Sequence, residues 1–414
     1  MPHIRPRAIL TAIMAVMLLL AVSVVLVPTG AVPAQAATSR PTPTAFPTVN
    51  GKVLAMTIDA GQLAIGGHYL EVEKPNGGKS AASNLAFIEL ANPNNVHTFR
   101  VTGGLVWALC STGDIVYFGG TFTAVNGVAR ATMAAINVKT MRLTSWHPAK
   151  LGGIRGCGGY GGKIVFAHSG GFDLYTSAGA HPWHLGVIGG GGRTALFAKG
   201  SVYLGGLFDA TPQADIHGLV KVNPLNGVVD KRFNVGYRDN THVGAKGTFD
   251  GDCILSLSAG PDGLVVGSGG AHRNGIWNVS YATGGYATGK KWGASRGRIT
   301  SGDAQAVLWT GTSYMDGQHR NHIDLASEVQ GQKRFLNNFS ATGKITTWDL
   351  GLWGHQANDG DNSGVQSMRA YQGKLIIAGS FLGWGNYNCC GSGSDWEGNN
   401  GPHPRRGLIV VPLP

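Results

Sequence analysis

The chain has 414 residues, of which 66 are glycine and 13% are charged, and its formal net charge is +11. The lysines and arginines are scattered, without a basic stripe interleaved with aromatic residues, which argues against a nucleic-acid-binding protein. No long segment shows a helical period, and short strand-like runs bounded by Gly, Asn and Asp dominate. The composition therefore indicates an all-β fold.

The first 36 residues have the features of a secretory signal peptide. Arg5 and Arg7 form a short basic region, residues 8–27 are almost entirely apolar, and the small-x-small site Ala34-Gln35-Ala36 follows. Proline and glycine after the apolar run favour cleavage after Ala36, although twenty apolar residues could also remain as a membrane anchor. We expect a secreted, extracellular protein with no stable membrane insertion after cleavage.

A Pro/Thr-rich segment at 37–50 follows and is expected to be extended. The remainder, 51–414, is long enough to bury the core of one domain. Because the last repeat of this domain ends after its third strand, residues 45–50 are predicted to supply the missing strand. Pairing of the two terminal segments would close the fold and remove exposed sheet edges.

The clearest repeat of the chain lies between residues 105 and 146. An apolar run at 115–120 ends in a diglycine, a second run follows at 131–138, and short runs flank them at 105–110 and 143–146. Four short strands in about 45 residues are typical of one propeller blade. Six further copies of the strand-and-glycine segment occur at 63–69, 163–171, 202–208, 264–270, 307–314 and 375–381.

The best-preserved copy carries a family resemblance. Residues 116–139 run from an aliphatic and aromatic strand through Gly-Gly, Thr-Phe, Val-Asn-Gly and an arginine to a second apolar strand. This order resembles the secreted bacterial β-propeller repeats of the delta-60 type, a domain of unknown function. The resemblance covers most of the chain after residue 50 and implies a single β-propeller of about seven four-stranded blades. It implies no catalytic residue.

The five cysteines follow the predicted signal peptide, and a secreted protein would meet an oxidising environment. Cys110 and Cys157 lie at matching places on the first strands of adjacent repeats, so we predict a disulfide between them. Cys253 pairing with Cys389 or Cys390, and a bond within that vicinal pair, both remain open. No Cys-x-x-Cys or His-x-x-x-His spacing is present, and we predict no metal site and no cofactor beyond a structural calcium ion.

Polar residues recur where the predicted blades open on one face. Carboxylates and amides begin three first strands, and histidines follow the glycines of several second strands. Long insertions on the same face carry tryptophan, which suits stacking against sugars. The candidate ligand-binding residues are Asp252, Asp303, Asp361, Gln305, Gln366, His68, His272, His319, His355, Trp384 and Trp396.

Two classes of function fit this rim. The first is a monomeric binding module for an extracellular glycan or an anionic cell-wall polymer, which the basic charge would favour. The second is a glycan hydrolase or lyase that uses Asp and His residues of the rim. The few glutamates lie in no recognisable motif, which favours binding over catalysis. A structural or protein-interaction role is a further alternative.

Overall fold

The structure is a computed structural model that describes residues 41–235, 253–269, 275–285, 303–318, 335–352, 364–384 and 403–414. The chain divides into two compact units, 1–38 and 39–414, and all described residues belong to the second. Within the described ranges the protein is all-β, as predicted, with no helix. A helix long and apolar enough to cross a membrane is accordingly not found in these ranges.

The first half of the described chain forms seventeen strands in sequence order. They are β1 (Thr48–Val49), β2 (Lys52–Asp59), β3 (Gln62–His68), β4 (Glu71–Glu73), β5 (Lys79–Ala81), β6 (Asn84–Glu89), β7 (Val96–Thr102), β8 (Val106–Thr112), β9 (Ile115–Gly120), β10 (Ala124–Val125), β11 (Val128–Ala129), β12 (Met133–Asn137), β13 (Arg142–Leu143), β14 (Ile154–Tyr160), β15 (Lys163–His168), β16 (Gly171–Thr176) and β17 (Trp183–Gly186).

Fourteen strands follow in the described part of the second half. They are β18 (Gly191–Ala198), β19 (Ser201–Leu207), β20 (Leu219–Val222), β21 (Cys253–Ala259), β22 (Leu264–Gly269), β23 (Gly275–Val279), β24 (Ala304–Trp309), β25 (Ser313–Gln318), β26 (Leu336–Ser340), β27 (Val365–Tyr371), β28 (Lys374–Gly379), β29 (Gly383–Trp384), β30 (His403–Pro404) and β31 (Leu408–Pro412).

Seven antiparallel sheets repeat the same pattern in the described ranges. Each begins with a first strand that pairs with the next strand along the chain, and the first strands are β2, β8, β14, β18, β21, β24 and β27. Each first strand contacts the first strand of the following sheet, and β27 contacts β2. The apolar clusters lie between neighbouring sheets. This is a fold of the β-propeller type.

The second sheet confirms the four strands predicted from its sequence, in the order β13-β12-β9-β8. The connection between β9 and β12 contains an additional hairpin, β10–β11, which pairs with β7 of the preceding sheet. Asn126 and Gly127 form its turn, with φ of 49° and 80°. Two central residues with positive φ are what a tight type I′ hairpin requires, and Asn-Gly is the favoured pair. The Val-Asn-Gly segment of the repeat therefore ties one sheet to the one before it.

The repeated diglycines serve the packing between sheets. Gly119 and Gly120 have no positive φ, nor do Gly205 and Gly206, so an unusual backbone angle is not what requires glycine at these positions. A Cβ at Gly119 would lie 2.5 Å from Cγ2 of Ile154, and one at Gly205 would lie 2.5 Å from Cγ2 of Ile254. In both pairs the branched residue belongs to the next first strand. Glycine is needed because the β-branched side chain of the neighbouring sheet occupies the space of its side chain.

The predicted disulfide between Cys110 and Cys157 is confirmed. It joins β8 to β14 with a Cα–Cα distance of 5.8 Å, within the usual range for a disulfide. Trp146 is buried in the same apolar cluster, between the second and third sheets, and its ring lies edge-on to Tyr117 at 5.0 Å between centroids. A covalent bond and an aromatic cluster thus hold these two sheets together.

The N-terminal segment lies along the last strand of the chain. The backbone N–H of Thr44 donates to the carbonyl of Val410 at 2.9 Å, and that of Val49 donates to Arg406 at 3.2 Å. Phe46 is buried in the cluster that also contains Leu408. The short strand β1 itself pairs with β4 of the first repeat, so this segment contacts both ends of the propeller domain.

Candidate functional site

Every first strand carries a β-bulge at the same place. In β14 the register passes from Ile154, opposite His168, to Gly156, opposite Ala167, which leaves Arg155 without a ladder partner. Equivalent shifts occur near the start of the other six first strands. A bulge inserts one residue and re-aims its side chain. The bulged residues are Leu54, Trp107, Arg155, Arg193, Leu255, Gln305 and Gln366.

These seven side chains, which we call the bulge ring, line one cavity of about 450 Å³ that all seven first strands surround. The size is within the range of small-ligand sites, roughly 300–1,000 Å³. In most first strands the residue before the bulge is apolar and buried, as Val106 and Ile254 are. That residue packs outwards against the preceding sheet, and the next one enters the cavity.

Positive charge is concentrated on one side of the bulge ring. Arg155 and Arg193 come from adjacent first strands, and the guanidinium carbon of Arg155 lies 4.5 Å from the ring centroid of Trp107. Partial burial in the cavity and then the charge of Arg193 lower the pKa of Arg155. The two guanidinium groups repel each other, so an anion between them would relieve an existing electrostatic cost.

The charge of the cavity is not neutralised by the residues described. Arg369 also lines it, with Nη1 donating to the carbonyl of Met368 at 2.8 Å, and burial lowers its pKa to about 10. Among the described lining residues there is no Asp or Glu. Arginine presents a planar fork of donors suited to carboxylate and phosphate oxygens. The cavity has the chemistry of an anion site, and its described lining lacks the carboxylate pair of a glycan hydrolase.

The sequence-predicted site residues in the described ranges lie at one end of their sheets. Gln305 and Gln366 belong to the bulge ring, and Asp303 comes two residues before Gln305. His68 is exposed at the end of β3, opposite the start of β2. Trp384, predicted to stack against a sugar from a long insertion, is half-buried and packs against the apolar cluster between the last two sheets. The predicted Asp252, Asp361, His272, His319, His355 and Trp396, with Cys389 and Cys390, lie outside the described residues.

Sequence reasoning missed a polar cluster on the third sheet. Asp173 is 2% exposed, and its Oδ2 lies 2.6 Å from His168 Nε2 and 3.0 Å from His184 Nδ1. Its Oδ1 lies 2.6 Å from His181 Nε2. Burial raises the pKa of Asp173, but the hydrogen bonds from His168 and His184 outweigh burial and hold it below its ordinary value. The available signal in the sequence was His-x-x-His at 181–184. It has two residues between the histidines, whereas the His-x-x-x-His spacing of a metal site has three.

No protein-family model matches the chain, and a search of curated proteins gives no match. Among solved structures it is similar to the computationally designed Ika8 protein, with 11% identity, 89% of this chain and 98% of that chain covered, and a TM-score of 0.46. The WD40 β-propeller domain of Doa1 is similar with 11% identity, coverage of 82% and 94%, and a TM-score of 0.48. TM-scores below 0.5 do not establish the fold, and the assignment of the fold is based on the strand pairing alone.

Proposed function

We propose that the protein is a secreted binding module, and that an anionic group of an extracellular polymer binds in the cavity that the bulge ring lines. The observation that carries this proposal is the pair Arg155 and Arg193, with Arg155 over the ring of Trp107, in a cavity whose described lining has no carboxylate. Uronic acids and polyol or sugar phosphates provide such anionic groups on a repeating chain. The tryptophan offers an apolar face for a sugar ring, and Gln305 and Gln366 offer amide hydrogen bonds to hydroxyl groups.

The site differs from the rim of long loops expected from the sequence. It is built on strands, so its side chains are held by the sheets themselves rather than by insertions. The overall positive charge would draw an anionic polymer towards the protein at long range. The arginines would then form the short-range contacts, which are stronger in a partly water-excluded cavity than at an open surface.

We also propose that the seven sheets are seven blades of a closed ring. The contact between β27 and β2, and the hydrogen bonds of Thr44 and Val49 to the last strand, support this closure. A signal peptide at 1–36 would deliver the chain to an oxidising compartment, in agreement with the disulfide between Cys110 and Cys157.

The test compares binding of acidic and neutral polymers. Wild-type protein should bind polygalacturonate or a teichoic acid and not unmodified cellulose or starch, and the affinity should fall with added salt. Arg155→Gln and Arg193→Gln should each weaken binding about tenfold or more, since an ion pair to a bound anion is lost in a partly buried site.

Arg142→Gln is the matched control, because it removes the same charge from an exposed residue of β13, which does not line the cavity. It should bind like the wild type. Equal binding of acidic and neutral polymers, or unchanged binding by both cavity variants, would contradict the proposal.

A further inference from the structure

The cavity of the bulge ring contains a third arginine that lies apart from the other two. Arg155 and Arg193 are bulged residues of β14 and β18, which contact each other. Arg369 belongs to β27 and lines the same cavity. In the order of contacts between first strands, β2 and β8 lie between β27 and β14, whereas β21 and β24 lie between β18 and β27. The arginine pair and Arg369 are therefore on opposite walls.

Arg369 also lies deeper in the cavity than the bulge ring. It follows the bulged Gln366 of its own strand by three residues, which is roughly 10 Å along a strand that rises about 3.3 Å per residue. The cavity-lining residues at the same level of the other six first strands are all uncharged. They are Thr57, Cys110, Gly158, Leu196, Ser258 and Leu308. Among the described lining residues, Arg369 is thus the one charge at this level.

Small residues separate the two levels. The residue directly after the bulge is alanine, glycine, serine or threonine in all seven first strands, from Ala55 in β2 to Ser367 in β27. All seven of these residues line the cavity. Because such side chains occupy little space, a ligand that enters at the bulge ring can extend as far as Arg369.

The surroundings of Arg369 favour an anionic partner. Its Nη1 donates to the carbonyl of Met368 at 2.8 Å, and the described lining of the cavity has no Asp or Glu to neutralise it. Burial lowers the pKa of Arg369 to about 10, because the charged form is poorly solvated there. An anionic group bound at this guanidinium would offset the cost of burying an unpaired charge.

We propose that the cavity binds the end of an acidic chain through two successive anionic groups, the first between Arg155 and Arg193 and the second at Arg369. The ligand is then an oligomer with a carboxylate or a phosphate on each unit, which rests on the binding function proposed above and makes it more specific. The seven first strands surround the cavity and each contacts the next. An interior segment of a long chain can therefore reach only the mouth of the cavity, whereas a chain end can enter it.

Ligands of increasing length test the two anionic contacts by calorimetric titration of the full mature protein. Digalacturonate should bind about tenfold or more tightly than galacturonate, because a second charged hydrogen-bonding group gains an arginine partner. Trigalacturonate should add less than about threefold, since no third arginine is available in the described lining. Fully methyl-esterified digalacturonate has the same length without the charge and should not bind.

Ligands of one and two glycerol phosphate units form a matching phosphate series. A step between one and two units in either series supports the proposal. The series with the larger step identifies carboxylate or phosphate as the group that the cavity prefers.

Variants of Arg369 assign the second contact. Arg369→Gln should keep the affinity for galacturonate and lose the step to digalacturonate, whereas Arg155→Gln should weaken both ligands about equally. Arg369→Lys retains the charge and should keep part of the step. Arg142→Gln, on exposed β13, is the control and should bind as the wild type does. Removal of a buried charge without a carboxylate partner should not lower Tm, so the loss in Arg369→Gln would reflect the ligand and not the fold.

Chain length separates binding at an end from binding along the chain. The number of protein molecules bound per chain should be the same for trigalacturonate and for long polygalacturonate, because each chain has the same number of ends. A number that rises in proportion to chain length would show that interior segments bind.

Three results would overturn the proposal and leave the proposed function intact. They are the absence of a step between one and two units in both series, an unchanged step in Arg369→Gln and Arg369→Lys, and protein bound in proportion to chain length. Binding of the methyl-esterified dimer as tightly as the acid, or no binding of any acidic ligand, would instead contradict the proposed function and this proposal together.

Discussion

Gly119 shows how a single hydrogen atom in place of a side chain decides the distance between two sheets. A Cβ at this position would lie 2.5 Å from Cγ2 of Ile154, which is buried and cannot move away. We expect Gly119→Ala to lower the free energy of unfolding by about 1–3 kcal/mol through overpacking. The measurement is chemical denaturation of the variant beside the wild type.

Gly153→Ala is the control for this prediction. Its Cβ would meet only Cγ2 of Thr121, at 3.5 Å, which is ordinary van der Waals contact. Its free energy of unfolding should stay within about 0.5 kcal/mol of the wild type. Equal denaturation midpoints for Gly119→Ala and Gly153→Ala would show that the sheets are not held at this distance by the glycine.

The lowered pKa of Asp230 predicts how the free energy of unfolding changes in acid. Hydrogen bonds from the Arg232 side chain lower the pKa of Asp230 to about 2. Partial burial acts in the opposite direction, whereas hydrogen bonds from the Arg232 backbone N–H and from Lys221 lower the pKa further. Since this pKa is below the ordinary value of 3.8, the ionised carboxylate stabilises the fold at neutral pH. That stabilisation, on the order of 1 kcal/mol after solvent screening, is lost as the pH falls from about 4 towards 2.

Asp230→Asn tests this response. The variant should be less stable than the wild type at pH 6, and the difference should shrink as the pH approaches 2, because the wild-type carboxyl is then becoming protonated. Urea denaturation of both proteins at several pH values measures it. A difference that stays constant between pH 6 and pH 2 would exclude ionisation of Asp230 as its cause.

At the scale of the element, strands were the most predictable feature. The apolar run and the glycine end of β9, and the apolar run of β12, could be predicted from the sequence because both depend on local composition. The disulfide was also predictable, because two cysteines occupied matching positions in adjacent repeats. The hairpin β10–β11 was not predicted, although its Asn126-Gly127 turn was present in the repeat pattern.

Gln305 and Gln366 were predicted site residues, but the bulge ring as a whole could not be predicted, because its seven members share a position and no chemistry. Leucine, tryptophan, arginine and glutamine occur there, and none is a bulge signal by itself. A bulge becomes visible only when the partner strand fixes the register. The cluster around Asp173 was missed for a similar reason: its four residues come from three strands and a turn, and only strand pairing brings them together.

At the scale of the whole molecule, the N-terminal segment matters more than its Pro/Thr-rich composition suggests. Phe46 is buried among residues of the first and last sheets, and Arg405 Nη1 donates to its carbonyl at 3.0 Å. We expect Phe46→Ala to lower the free energy of unfolding by about 3–5 kcal/mol, because it leaves a cavity and loosens the segment between the terminal sheets. Differential scanning calorimetry of the mature protein would measure this as a lower Tm.

Thr42→Ala, at an exposed position in the same segment, is the control and should leave Tm unchanged. If Phe46→Ala also leaves Tm unchanged, the N-terminal segment does not hold the first and last sheets together, and the contact between β27 and β2 would have to do so alone.

The repeated bulges separate what holds the scaffold from what faces the cavity. In most first strands the apolar residue before the bulge packs on the neighbouring sheet, while the bulged residue makes no ladder pair and faces the cavity. We therefore expect a substitution at a bulged position to change the lining of the cavity more than the packing between sheets. The seven positions of the bulge ring accordingly offer protein engineering a place to change the ligand while the sheets that carry them are kept.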